Sequence, residues 1–138
     1  MGDPAEGQGA VAAFRVDRLA GCVLVTATGE IDSETTPGLH DALQTAVATG
    51  SRLIIDLTAV TFIGTPGLGV LLVVRNQASE TGNMVSLVGV PPRVRRLLAQ
   101  TQIDRAFSVF DRLEQAVAAF TQPDPDSGER EQRPKAGQ

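Results

Sequence analysis

The stretch that decides the fold is Arg52 to Thr81, RLIIDLTAVTFIGTPGLGVLLVVRNQASET. Leu53, Ile54 and Ile55 form a short apolar run rich in branched side chains, which predicts a buried strand. Asp56 to Gly64 brings polar and small residues and reads as a turning connection. Thr65 is placed to cap a helix with its hydroxyl, and Pro66 fits a first helical position, where no backbone donor is needed. Periodicity does not settle the segment that follows, because Val70 to Val74 is apolar on every side. Its length, the Thr-Pro start and Gly82 as a left-handed stop favour a helix to about Thr81. A helix apolar all round is expected to be largely buried. Met84 to Val88 reads as the next strand, so strand, helix and strand imply a parallel pair with a right-handed crossover. The loop presenting Thr65 at a helix N-terminus is then the expected working surface.

Upstream, Met1 to Ala13 is rich in Gly and Ala and is expected to be loose. Phe14 to Arg18 alternates apolar and polar residues, as a half-buried strand does. Cys22 to Thr28 predicts a second strand, hairpin-linked to the first, with Cys22, Leu24 and Thr26 on one face and Val23, Val25 and Ala27 on the other. Thr36 and Pro37 predict a helix start, Leu39, Ala42, Leu43, Ala46 and Val47 have the amphipathic spacing, and Gly50 stops the helix. Downstream, Pro91 and Pro92 open a third helix with Val94, Leu97 and Leu98 inward, and Ala106 to Phe110 reads as a short strand. Asp111 and Glu114 have the spacing of a capping box before a helix carrying Leu113, Ala116, Val117 and Phe120. Residues 122–138 are rich in Pro, Gly and charge, and read as a disordered tail. The expected organisation is thus a loose segment 1–13, one domain over 14–121 and a tail over 122–138.

Composition narrows the function. The 138 residues suffice for one domain with an ordinary core, and 42% hydrophobic with 20% charged residues is a globular balance. Five Phe, no Trp and no Tyr leave few platforms for base stacking, and a net charge of −4 opposes a phosphate backbone, so no nucleic-acid partner is expected. One cysteine, Cys22, forms no internal disulfide, which fits a reducing compartment. No apolar stretch reaches the roughly 18 residues of a membrane span, and Met1 to Gly9 has no basic leader, so a cytoplasmic protein without a membrane partner is expected.

Catalytic and cofactor chemistry finds little support. One His, His40, and one Cys make no zinc ligand set, so neither a metal nor another cofactor is expected. His40 falls on a helix surface, and Cys22 reads as a small core residue. No G-x-S-x-G elbow holds a nucleophile. Gly64-Thr65-Pro66-Gly67-Leu68-Gly69 has neither dinucleotide nor P-loop spacing and no Lys, although its place between strand and helix keeps a nucleotide or small-molecule sensor as an alternative. Arg93, Arg95 and Arg96 read as a solvated helix face, and Asp32 and Asp56 as turn or cap residues. No catalytic residue can be named, and no enzyme is expected.

Taken together, Gly29-Glu30-Ile31-Asp32, Leu53-Ile54-Ile55-Asp56-Leu57-Thr58, Phe62-Ile63 and Gly67-Leu68-Gly69-Val70-Leu71-Leu72 resemble the STAS family, and within it the bacterial anti-sigma factor antagonists. The resemblance covers Phe14 to Phe120 and extends to the order of elements. It implies an α/β single domain, a small mixed β sheet with helices packed mainly on one face. It also implies a partner, an anti-sigma factor of the serine/threonine kinase type, and a role in sigma-factor-dependent transcription. Phosphorylation of a Ser or Thr in the loop before the second helix by that kinase would break the complex, and Thr65 aligns with this phosphoacceptor. The family's usual run there is Asp-Ser-Ser/Thr-Gly; here it is Gly64-Thr65-Pro66-Gly67, so the acidic residue and the second hydroxyl residue are replaced. The implied contact surface takes in Glu30, Asp32, Ser33, Gly64, Thr65, Pro66, Gly67, Gly69 and Asn76. A constitutive, non-phosphorylated regulator is the second alternative.

Overall fold

The computed structural model describes residues 12–19 and 21–121. The elements run β1 (Ala13–Leu19), β2 (Cys22–Ile31), α1 (Thr36–Ala48), β3 (Arg52–Ile63), α2 (Thr65–Glu80), β4 (Val85–Val88), α3 (Pro92–Gln100), a 3-10 turn (Ile103–Ala106), β5 (Ser108–Phe110) and α4 (Leu113–Thr121). The strands form one sheet in the order β1-β2-β3-β4-β5. β1 pairs antiparallel to β2, and the other neighbours are parallel. The hairpin follows from its two-element spacing, with Gly21 at φ 81°, a conformation that favours glycine. The parallel pairs follow from the helices that separate the later strands.

Alternation along the strands sets the two layers. Val23, Val25 and Ala27 of β2, Leu53, Ile55 and Leu57 of β3, and Val85 and Leu87 of β4 face one side. There they meet Leu39 and Leu43 of α1, Leu71 and Val74 of α2, and Val94 and Leu98 of α3 in the main core. Cys22, Leu24, Ile54 and Val88 face the other side and pack with Ala116 of α4. Three helices therefore cover one face and the last helix covers the other. Burying a Leu, Ile or Val side chain contributes roughly 1.5–3 kcal/mol, so the larger layer supplies most of the driving force.

Several expectations need correction. β1 begins at Ala13, one residue before the expected domain boundary. The rest of the expected segment 1–13, apart from Ala12, and the tail 122–138 lie outside the described residues. β3 does not end near Ile55 but continues through Asp56 to Ile63. The polar-looking stretch is strand because β2 runs beside it, with register shifts between Thr26 and Thr28 and between Gly29 and Glu30. β2 likewise extends to Ile31. At α1 and α2 the cap falls one residue before the hydroxyl expected to make it. α1 begins at Thr36 behind Thr35, and α2 begins at Thr65 behind Gly64, without a side-chain cap bond at either N-terminus. At α4 the reciprocal contact is made by Gln115, whose Oε1 accepts from the backbone N–H groups of Asp111 and Arg112 at 3.1 Å each, in place of an Asp111–Glu114 box. The helix stops are as expected: Gly50 and Gly82 are left-handed at φ 73° and 80°, and Asn83 N–H closes on Ala78 C=O at 2.9 Å.

Candidate functional site

β2 and β3 project past the end of β4, which pairs with β3 only through Asp56. Their tips carry the two loops singled out from the sequence. Glu30 lies opposite Phe62 and Ile31 opposite Ile63 in the register. The Gly64 N–H donates to Ile31 C=O at 2.8 Å, so the start of α2 is tied directly to the end of β2. Glu30, still within β2, and Ser33 are exposed. Asp32 is half-buried and organises its loop: its Oδ1 accepts from Glu34 N–H at 2.9 Å and from Thr35 N–H at 3.1 Å. The Thr35 hydroxyl donates onward to Glu30 C=O at 2.7 Å and accepts from Asp32 N–H at 2.9 Å. The backbone N–H of Thr35, above all, holds the Asp32 carboxyl below its usual range. Asp56 plays a similar local role, accepting from Thr58 N–H at 2.9 Å.

Thr65 is exposed at the first position of α2. Its hydroxyl makes no hydrogen bond among the described residues, because Gly64 occupies the cap position with extended backbone, φ −93° and ψ 176°. Pro66 is exposed beside it. Gly67 is different. It is buried, and a Cβ there would stand 2.8 Å from Ile31 Cγ2 and 2.9 Å from Ile63 Cγ1. Gly67 lets the helix sit down on the strand tips, and it reaches a surface only through that placement. Gly69 is exposed and helical, and a Cβ would meet nothing within 4 Å. Asn76 is exposed on the same helix, its Oδ1 accepting from Arg75 Nη1 at 3.1 Å. At 100° per residue, Thr65, Gly69, Val73 and Asn76 fall along one stripe of α2. Asn76 stands roughly 16 Å from Thr65 along the axis, so the two loops and Asn76 form a long strip rather than a cluster.

Two residues of this surface were not singled out from the sequence. Val73, on the helix expected to be largely buried, is 48% exposed, and Phe62, near the end of β3, is 47% exposed. Buried positions on α2 are Gly67, Leu68, Leu71, Val74 and Ala78, one face only. Phe62 also lines a groove of about 240 Å³ with Val94 and Leu97 of α3, rimmed by Arg93 and Arg96. Arg95 faces Asp111 at 3.4 Å; Arg93 and Arg96 are exposed without an ion pair among the described residues. Exposed apolar side chains ringed by charge are the composition of a protein-docking surface. His40 is exposed, and Cys22 is buried, its thiol pushed up by that burial and partly lowered again by Arg52. Among the described residues no group of three His, Cys, Asp or Glu is placed to hold a metal ion.

The model of the STAS domain matches residues 13–116. The chain belongs to the STAS domain family. This STAS domain resembles the crystal structure of an anti-sigma factor antagonist from Mycobacterium paratuberculosis, with 30% identity and a TM-score of 0.74, covering 80% of this chain and 95% of that one. A STAS anti-sigma-factor antagonist domain protein from Planctomyces limnophilus superposes with a TM-score of 0.70 at 19% identity, covering 78% and 97%, a likeness of fold. A STAS-domain containing protein of Pseudomonas aeruginosa is 28% identical over 81 residues, 59% of this chain and 80% of its own length. The single mixed sheet with its four helices is the fold of these antagonists. No helix among the described residues is long and apolar enough to cross a membrane.

Proposed function

We propose that this STAS domain is an anti-sigma factor antagonist. It binds an anti-sigma factor of the serine/threonine kinase type, frees the sigma factor and so regulates transcription, as a non-enzymatic module of the cytoplasm. The likeness to the mycobacterial antagonist supports the partner class. The observation that carries the reading is Gly69. A glycine in the body of a helix costs about 1 kcal/mol relative to alanine, yet here no neighbour among the described residues requires it. Its use is external: it leaves bare backbone between Thr65 and Val73 where a partner can approach closely. Glu30, Asp32, Ser33, Gly64, Thr65, Pro66 and Asn76 extend the strip, and Phe62 and Val73 give it apolar anchors.

Thr65 supplies the switch. A phosphate there adds about −1.5 to −2 charges. Within the chain that charge sits at the N-terminus of α2, where the helix dipole favours it, so the fold survives phosphorylation. Against a docked partner the same charge must be desolvated and displaces the contact. The test uses the anti-sigma kinases of the source organism, each expressed with this protein and ATP. A complex with at least one, weakened by Val73→Glu, and label in wild type but not in Thr65→Ala, is the expected result. Failure of every kinase to bind rejects the reading.

A second reading rests on Gly64 and Pro66, which stand where the family carries an acidic and a hydroxyl residue. In it the domain binds constitutively and the switch is lost. A complex that persists during prolonged incubation with kinase and ATP selects this reading over the first.

A further inference from the structure

A second cavity, of about 250 Å³, opens at the opposite end of the sheet, between the last turns of α2 and the 3-10 turn. Arg75, Ser79, Asn83, Met84, Arg105 and Ser108 line it. Arg75 and Arg105, from separate elements, both line it, as do the hydroxyl residues Ser79 and Ser108. Arg75 is half-buried and already oriented: its Nε donates to Ala106 C=O at 3.2 Å and its Nη1 to Asn76 Oδ1 at 3.1 Å. Those bonds fix the guanidinium plane and leave Nη2 uncommitted among the described residues. Arg105 is exposed and has no ion pair among the described residues. The nearby acids Glu80 and Asp104 do not line the cavity. In a chain with net charge −4, a recess holding two cations and no carboxylate is a local reversal of sign.

We infer that this cavity binds a small phosphate monoester. Guanidinium groups bind phosphate through paired, charge-assisted hydrogen bonds, and holding one of them in place beforehand reduces the entropy lost on binding. Donors arriving from α2, the 3-10 turn and β5 surround a tetrahedral group better than a planar carboxylate, which two parallel donors satisfy. Met84, 54% exposed at the rim, offers an apolar contact for the organic body of the ligand. The volume lies below the about 300–1,000 Å³ of drug-sized sites, which fits a metabolite rather than a larger ligand. Ser79 lies fourteen positions after Thr65 on the same helix, about 21 Å along its axis. The site therefore lies at the far end of the docking strip from Thr65, joined to it through the Arg75–Asn76 hydrogen bond, and its binding test does not depend on the function proposed for that strip.

The test follows amide resonances of the full chain by NMR during titration with phenyl phosphate, inorganic phosphate and benzoate at constant ionic strength. Saturable shifts at Ser79, Arg105 and Ser108 with phenyl phosphate, weaker with inorganic phosphate and with benzoate, are expected. Arg105→Gln should weaken binding about tenfold or more, the loss of one charge-assisted contact, with the melting temperature unchanged. Arg96→Gln, in the groove beside Phe62, should leave binding unaltered. Shifts that never saturate, that sodium chloride reproduces, or that survive Arg105→Gln overturn the site. Benzoate binding as tightly as phenyl phosphate overturns the choice of ligand.

Discussion

Gly69→Ala separates what the fold needs from what a partner needs. The substitution adds one methyl group to α2 where no atom of the described residues lies within 4 Å, so it neither clashes nor gains packing there. The backbone there is helical, which alanine adopts without strain. The remaining effect is helix propensity, about 0.8–1.0 kcal/mol in favour of alanine. For a domain of this size each kcal/mol moves the melting temperature by about 4–8 °C, upward here. Urea unfolding should show a higher midpoint at unchanged slope, since the surface exposed on unfolding hardly changes. Affinity for the anti-sigma partner should move the other way, by about tenfold for each 1.4 kcal/mol of lost contact. A variant that is more stable and binds as well as wild type would refute the argument that Gly69 is kept for docking. A variant that loses stability would refute the open, helical placement of the residue itself.

Further outcomes follow from neighbouring positions. Gly67→Ala on the same helix should be less stable than Gly69→Ala by about 1–3 kcal/mol, because its Cβ is forced against Ile31 and Ile63; equal midpoints in urea would contradict that packing. Gly64→Asp meets only ordinary contact with the Phe62 ring at 3.4 Å and places a preferred residue at the helix cap. It should raise stability by a few tenths to about 1 kcal/mol and, under the proposed switch, speed labelling of Thr65 by the proposed kinase partner; unchanged labelling would show that the missing carboxylate is not what recognition lacks. Asp32 has a folded-state pKa below its unfolded value near 3.8. Its contribution is therefore present above that value and fades as pH falls through the lower folded value. Asp32→Asn should flatten the acid limb of the stability profile, and an unchanged limb would contradict the role given to its hydrogen bonds.

The fold was legible wherever one physical rule acted alone. Strict alternation sorted Cys22 and Leu24 from Val23 and Val25, and each pair lies on its own face of the sheet. Gly50 and Gly82 ended their helices as left-handed residues. The failures came where two rules compete. The stretch from Thr58 to Thr61 looks like a connection, but Ala59 and Val60 pair with Thr28 and Gly29 of β2, and Thr58 and Thr61 are the extra residues where the register shifts. Thr65 is a good capping residue, yet Gly64 is bonded to Ile31, which fixes the cap one position earlier and turns the threonine outward. An all-apolar run from Val70 to Val74 hides which side faces solvent, since periodicity carries no phase when every position is apolar. Phe62 lay in the stretch read as a connection, which assigns a residue to no face. The loops of the candidate surface could be read from the sequence, but its apolar anchors could not.

The placement of Cys22 provides the molecule with a built-in chemical probe. The lone thiol sits on the thinly covered side of the sheet, in the small cluster that includes Ala116 of the final helix. A thiol reagent therefore has to wait until that helix lifts away, and its rate of reaction counts those events. If partner engagement at the strand tips tightens the whole sheet, the count should fall, even though the reporter and the contact are on different parts of the protein.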